Sequence, residues 1–143
     1  MPFVWDKFFN IGISEIDSQH ESFVNMLNRM NENYEKMPPS LANDEAKMKV
    51  YLYILNLRKY ALNHFSTEEK YMINSKYPNY FDHKKEHDNF IRKVFDFEEE
   101  LFNSPDISPT NLISFMLSWL EGHIQKVDKD FGNYYNLIVR SKS

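Results

Sequence analysis

The most constraining feature of this sequence is an apolar pattern, with alternating spacings of three and four residues, that recurs in four segments. This spacing places the apolar side chains on one face of an α-helix. Stretches that contain proline, around residues 37–40, 77–79 and 103–109, separate the segments. Four amphipathic helices with short links predict an all-α, antiparallel up-down-up-down four-helix bundle.

The proline-containing stretches also predict where each helix begins and ends. We expect helices at about residues 15–37, 44–75, 79–102 and 109–139, preceded by an irregular N-terminal arm at about residues 1–13. The aromatic part of this arm, Phe3 to Asn10, is expected to pack against the bundle. A chain of 143 residues has the size of one ordinary domain. We therefore predict that residues 1–143 form a single domain.

Composition narrows the classes of function. The chain contains no cysteine, which excludes disulfides, thiolate metal sites and cysteine nucleophiles, so any metal must be held by histidine and carboxylate. The formal net charge of -4, without clustered lysine or arginine, argues against a nucleic-acid or anionic membrane partner. No stretch approaches the roughly 18 apolar residues of a membrane span, and the start lacks a secretory pattern. We therefore expect a cytoplasmic protein whose partner is a small molecule or another protein.

All five histidines lie on the predicted apolar helix faces: His20, His64, His83, His87 and His123. A single histidine on such a face is usually an ordinary core residue, but five of five favour a shared site. His64 and Glu68 are four residues apart, as are His83 and His87, so each pair projects from one helix face. Counting residues from the turns places these side chains at one height, within about one helical turn. The sequence thus predicts a metal-binding layer inside the bundle.

The number of ligands favours two metal ions over one. A single tetrahedral zinc takes only three or four ligands, whereas two metals that share bridging carboxylates use more. A second carboxylate is then needed, and Asp128, five residues after His123, is the candidate. Residues five apart diverge by about 140° on a regular α-helix. Either they reach different sides of a metal pair, or a π-type bulge brings them together.

The combined pattern resembles the hemerythrin-like domain, in particular the single-domain bacterial hemerythrins. The order is one histidine, then H-x-x-x-E, then H-x-x-x-H, then H-x-x-x-x-D, and this order is highly specific. The resemblance covers roughly Trp5 to Tyr135. The matching elements are Trp5, Gly12 to His20, His64 to Glu69, His83 to His87, and His123 to Asp128.

This resemblance implies a non-haem centre of two iron ions with an oxo or hydroxo bridge. Carried onto this sequence, the family's ligands fall into three sets: His83, His87 and His123 on one iron, His20 and His64 on the other, and Glu68 and Asp128 bridging both. The resemblance further implies that O2 binds at the iron with only two histidines, where a coordination position is open.

The charge of this ligand set agrees with reversible O2 binding, for carriage, storage or delivery, rather than enzymatic turnover. Five neutral imidazoles and two carboxylates leave a diferrous pair with a charge of about +2, and neutral ligands disfavour the high oxidation states that cleave O2. Reversible binding also needs a dry pocket. Four apolar residues beside the ligands are candidates for its lining, although each equally suits plain core packing: Phe23, Trp119, Leu120 and Ile124.

Several alternatives remain open on this reasoning. The same site suits an O2 or redox sensor, an iron buffer, or a protein that reduces peroxide or nitric oxide. A helical metal-dependent phosphohydrolase is a further alternative because Asp88 follows His87, although Asp88 points about 100° away on a helix. A scaffold bundle would use its histidines only for packing. By resemblance we expect a monomer, with an unidentified protein partner for O2 delivery.

Overall fold

The computed structural model describes residues 9–35, 44–103 and 109–141, and these residues contain helices and no strand. The elements are α1 (Ser14–Glu35), α2 (Asp44–Asn74), α3 (Tyr80–Asn103), α4 (Pro109–Gly122), a π-helical segment (His123–Asp128) and α5 (Lys129–Ser141). The last three follow one another without a break and form the fourth helix of the bundle. The predicted all-α four-helix bundle is confirmed. Within the described ranges, no helix has both the length and the hydropathy needed to cross a membrane.

The observed helix limits lie within two residues of the predicted ones, except at the end of the first helix. The predicted end at residue 37 lies outside the described residues. In space, α1 packs against α2 and α4, and α3 packs against α2 and α4, so each helix contacts its neighbours in the chain and α1 closes the bundle.

Among the described residues, the core consists of two apolar clusters. The large cluster fills one end of the bundle and includes Phe23, Leu27, Ile54, Phe90, Met116, Leu120 and Ile124. The small cluster fills the other end and consists of Ile11, Ile13, Ile16, Met72, Tyr77 and Phe131. In every helix, the predicted metal ligands come between members of the two clusters along the chain. The fold therefore places the ligands in a layer between two apolar regions.

A tight turn between α2 and α3 helps to set the heights of the ligands that these helices carry. The Tyr77 N–H donates to the Met72 carbonyl (2.9 Å), and the Lys76 N–H donates to the Ile73 carbonyl (3.1 Å). Lys76 takes the left-handed conformation, with φ of 58°. These features define a Schellman motif, in which lysine occupies the position that glycine usually takes.

The described part of the N-terminal arm packs against the bundle. The Ile11 N–H donates to Asp17 Oδ1 (2.7 Å), and the Gly12 N–H donates to Asp17 Oδ2 (3.2 Å). Asn136 on α5 donates through Nδ2 to the Ile11 carbonyl (3.0 Å). These contacts tie the arm to both α1 and α5. The predicted packing of residues 3–8 lies outside the described residues.

Gly132 on α5 is where the arm approaches most closely, and Gly132→Ala is expected to destabilise the protein. A Cβ at this position would clash with the Ile11 carbonyl and lie 2.7 Å from the Ile11 Cβ. Because backbone must move, we expect the free energy of unfolding to fall by about 1–3 kcal/mol. Gly122→Ala is the matched control, since its Cβ meets nothing within 4 Å and should stabilise the helix by about 0.5–1 kcal/mol. Denaturant unfolding measures both, and a stabilised Gly132→Ala would contradict the close contact.

Candidate metal centre

Seven polar side chains meet in the layer between the two apolar clusters. They are His20 from α1, His64 and Glu68 from α2, His83 and His87 from α3, and His123 and Asp128 from the π-helical segment. None of them is more than 3% exposed. The structure thus brings together all seven residues that the sequence predicts as ligands.

The seven residues divide into two groups whose donor atoms lie close together. One group is Glu68, His83, His87, His123 and Asp128, and the other is His20, His64 and Glu68. Within each group, one donor atom from every residue lies within 4.8 Å of the others. The division separates three histidines from two and places Glu68 in both groups.

The two carboxylates face both groups. Glu68 Oε1 lies 2.8 Å from His64 Nε2, and Glu68 Oε2 lies 3.3 Å from His83 Nε2. Asp128 Oδ2 lies 2.9 Å from His20 Nε2, and Asp128 Oδ1 lies 3.0 Å from His83 Nε2. Because each carboxylate presents one oxygen to each group, both are placed to bridge two metal ions.

A π-helical turn brings Asp128 into the layer. The Lys129 N–H donates to the carbonyl of Ile124, five residues earlier, which is the hydrogen-bond pattern of a π-helix. The wider turn carries Asp128 back toward the face of His123, and Asp128 Oδ1 lies 3.0 Å from His123 Nε2. Of the two arrangements that the spacing of five left open, the structure has the bulge.

Three of the histidines are oriented by hydrogen bonds from the ring nitrogen that points away from the layer. His64 Nδ1 donates to Gln19 Oε1 (2.7 Å), His87 Nδ1 to Glu69 Oε2 (3.0 Å) and His123 Nδ1 to Glu86 Oε1 (3.4 Å). In the neutral ring, a proton on Nδ1 leaves the Nε2 lone pair directed into the layer, which is the tautomer that a metal ion requires.

The inward nitrogens of His87 and His123 lie 3.1 Å apart. Two lone pairs at that distance repel one another, so the contact requires either a proton on one of the two nitrogens or a metal ion between them. Two nitrogens bound at about 2.1 Å to one metal at a right angle would be about 3.0 Å apart. The separation therefore fits two ligands of a single metal ion.

Sequence reasoning missed the residues that support the ligands: Gln19, Glu69, Glu86 and Phe65. Phe65 stacks on the His87 ring, with centroids 4.0 Å apart and planes at 7°. Each of these residues is next to a ligand in the sequence, yet Gln19, Glu69 and Glu86 each bond to a ligand on another helix. Their position next to a ligand in the sequence was the one feature that could have indicated this role. The spacing of residues within one helix does not predict contacts between helices.

The four predicted pocket residues lie beside the layer. Phe23, Leu120 and Ile124 belong to the large cluster and are at most 1% exposed. Trp119 is half-buried and stacks on the His123 ring, with centroids 4.3 Å apart and planes at 13°. Three of the four thus belong to the apolar core next to the layer, while Trp119 covers a ligand of the three-histidine group.

Burial and the two carboxylates act in opposite directions on the pKa values of the histidines. Burial lowers each imidazole pKa, while the negative charges of Asp128 and Glu68 raise it. The carboxylates prevail at three histidines, whose pKa values rise to about 9 for His20, about 10 for His83 and about 9 for His123. At His64 and His87 burial prevails, and the pKa is lowered.

Metal binding is therefore expected to release protons. With pKa values of about 9 to 10, His20, His83 and His123 are expected to be imidazolium ions, protonated on both ring nitrogens, at pH 7.5 in the metal-free protein. A metal ion binds the neutral imidazole, so about three protons should leave per chain and metal affinity should rise with pH. Calorimetry of metal binding in buffers of different ionisation enthalpy counts the protons. Binding at pH 7.5 without proton release would contradict this electrostatic picture.

The donor atoms of the layer fit metal ions. Among the described residues, the Nε2 atoms of His64 and His83 and all four oxygens of Glu68 and Asp128 have no hydrogen bond of acceptable geometry, although they are buried. Burying polar atoms without partners is costly. Metal ions would satisfy these lone pairs, and a set of imidazoles and carboxylates suits iron among other first-row metals.

Comparisons with known proteins agree with this geometry. The sequence profile of the Hemerythrin HHE cation binding domain matches residues 11–135. A bacteriohemerythrin of Clostridium acetobutylicum is 33% identical over 130 residues, which are 90% of this chain and 98% of that protein. A hemerythrin from Sipunculus nudus is 33% identical over 128 residues, 89% of this chain and 88% of that protein. A crystal structure of wild-type hemerythrin shares the fold, with a TM-score of 0.80 at 23% identity over 94% of this chain and 98% of its own.

Proposed function

Because this chain belongs to the hemerythrin family, we propose that it holds two iron ions and binds O2 reversibly, for carriage, storage or delivery. The observation that carries the proposal is the division of the buried layer into a three-histidine and a two-histidine group that share Glu68. The two-histidine group offers one imidazole fewer, so an ion held there keeps a position for a small ligand.

The composition of the layer favours binding over catalysis. When bound, the two irons supply the two electrons that reversible O2 binding requires. The protein surrounds them with five imidazoles and only two carboxylates, and this neutral environment disfavours the high oxidation states that O–O cleavage needs. We therefore propose a binding protein rather than an enzyme.

The apolar side chains beside the layer are proposed to exclude water from the O2 position. Phe23, Leu120 and Ile124 are buried in the large cluster and offer no hydrogen-bonding atoms in their side chains. A pocket with such a lining stays dry. Dryness favours the release of O2 as O2, because water and protons promote irreversible oxidation of the irons.

Ile124→Ser is expected to admit water to this pocket and to accelerate autoxidation severalfold. The rate at which the O2-bound spectrum decays to the oxidised spectrum measures the effect. Ile113→Ser is the matched control, because Ile113 is equally buried in the same cluster but lies three helical turns earlier. An unchanged rate in Ile124→Ser would leave Ile124 as a packing residue only.

The phosphohydrolase alternative depends on Asp88, which the structure places outside the layer. The Lys84 Nζ lies 3.0 Å from Asp88 Oδ2, and the Asp88 side chain is 57% exposed. It therefore does not join the ligands. A pure scaffold is also disfavoured, because seven buried polar side chains have no structural benefit that apolar residues would not supply better.

Iron content and optical spectra test the proposal. The protein is reduced without O2, exposed to O2, and then returned to an O2-free atmosphere, with spectra taken at each stage. We expect two irons per chain and charge-transfer bands that appear with O2 and vanish on its removal. Two irons with rapid irreversible oxidation would instead favour a sensor or a reductase on the same site, and a protein that takes up no iron would refute the proposal.

A further inference from the structure

We propose that the outer groove between α2 and α3 is a docking site for a positively charged amphipathic helix of another protein. The groove encloses about 560 Å³ and is lined by Tyr51, Phe95, Asp96, Glu98, Glu99 and Phe102. None of these residues belongs to the metal layer, so the proposal does not depend on which metal the protein holds or on what it binds.

The floor of the groove is aromatic and open to solvent. The Tyr51 and Phe102 rings lie 5.4 Å apart in an edge-to-face contact. Phe95 is 47% exposed and Phe102 is 51% exposed. Exposed aromatic surface of this kind, rimmed by polar residues, is typical of a protein interaction site.

The apolar surface continues beyond the groove in both directions. On α2, Met48 is 50% exposed and Leu52 is 51% exposed, and both lie within one helical turn of Tyr51. In the other direction, Ile91 and Leu62 line a second cleft of about 260 Å³, which also reaches His87. The patch therefore extends along the α2–α3 pair toward the metal layer.

The rim of the groove is acidic. Glu98 is neutralised by Arg58, whose Nη1 donates to both carboxylate oxygens (2.6 and 2.8 Å) and whose guanidinium also covers Phe95 at 4.4 Å. In the described part of the chain, no cationic nitrogen lies within 4.0 Å of the carboxylates of Asp96 or Glu99. Two negative charges therefore remain beside an apolar floor, a combination that complements a partner with both apolar and basic side chains.

The same charges argue against a second copy of this chain as the occupant. A symmetric dimer through this face would place Asp96 and Glu99 opposite the same acidic groove. The chain also carries a net charge of -4, so its copies repel one another. The groove instead favours a partner of opposite charge.

The spacing of the exposed rings indicates that the occupant is a helix. Phe95 and Phe102 are seven residues apart, which is two helical turns. A helix that lies along the groove presents its own apolar side chains at spacings of three, four and seven residues, and these can contact both rings.

A synthetic amphipathic peptide of leucine and lysine, with leucines at spacings of three and four, is the probe. We expect it to shift the amide resonances of residues around Phe95 and Phe102 in the ¹⁵N-labelled protein, and its affinity to fall as salt rises. A peptide with the same pattern of leucine and glutamate should not bind. Equal binding of the two peptides, or shifts confined to other faces, would overturn the proposal.

Two double variants locate the site. Phe95→Ser with Phe102→Ser is expected to weaken peptide binding by at least about tenfold, and Asp96→Asn with Glu99→Gln should weaken it and flatten its salt dependence. Phe81→Ser is the matched control, because Phe81 is 81% exposed on the same helix but outside the groove. An equal loss in Phe81→Ser would overturn the proposal. So would a dimer, seen by sedimentation, that dissociates in the Phe95→Ser, Phe102→Ser variant, because it would identify a second copy as the occupant.

Discussion

Replacing Glu68 with alanine is expected to lower the iron content well below two per chain, the largest effect of any single substitution in the layer. Glu68 is fully buried, and its two oxygens lie 2.8 Å from His64 Nε2 and 3.3 Å from His83 Nε2. Since one side chain serves both groups of ligands, its loss weakens both metal positions at once. Elemental analysis after reconstitution measures the iron, and circular dichroism shows whether the helices persist.

Two further variants make this test specific. Glu68→Gln keeps the size of the side chain and is also expected to lose iron, because a neutral amide does not bridge two cations as a carboxylate does. Glu121→Ala changes an exposed glutamate two residues before His123 and should leave the iron content unchanged. A folded Glu68→Ala protein with two irons per chain would refute the bridging role.

His20→Ala is expected to abolish O2 binding while some metal is retained. Among the two groups of donor atoms, His20 belongs only to the two-histidine group. Its Nε2 lies 2.9 Å from Asp128 Oδ2, and its ring lies 4.5 Å from that of His64. Loss of this imidazole leaves one histidine at the position proposed for O2, whereas the three-histidine group stays complete. Iron content and the spectral response to O2, measured on the same sample, separate these two effects.

The counterpart variant is His87→Ala, which removes a ligand from the three-histidine group instead. We expect it to lower the iron content because the three-histidine group loses a ligand. Mössbauer spectroscopy distinguishes the two iron environments, so it should show a different remaining environment in each of the two variants. Normal oxygenation of His20→Ala would contradict the assignment of His20 to the O2-binding iron.

The bundle could be predicted from sequence because its determinants are local. Apolar spacings of three and four define each helix face, and the stretch around Pro78 marks a turn that the structure closes with a Schellman motif at Lys76. What could not be predicted is how closely elements approach one another. The close contact between Gly132 and Ile11 depends on where the arm crosses α5. The spacing of residues within either segment does not predict where that crossing lies.

In the candidate site, too, features set within one helix could be predicted from the sequence, whereas features set by packing between helices could not. His64 and Glu68 share a helix face by their spacing, and counting from the turns aligns them with ligands on other helices. For His123 and Asp128 the spacing of five left two arrangements, which only the backbone hydrogen bonds of the π-helical segment decide. The hydrogen bond between His87 and Glu69 could not be predicted, because it depends on how α2 packs against α3.

Reversible O2 binding is tested most directly by the amount of O2 bound and recovered by the reduced, iron-loaded protein. A gas-tight titration with an O2 electrode measures uptake, and lowering the O2 pressure measures release. We expect one O2 to be bound for each pair of irons and the same amount to be returned as O2 over repeated cycles. Uptake without recovery, with the O2 converted to peroxide or water, would contradict reversible binding and would identify the layer as a site of O2 reduction.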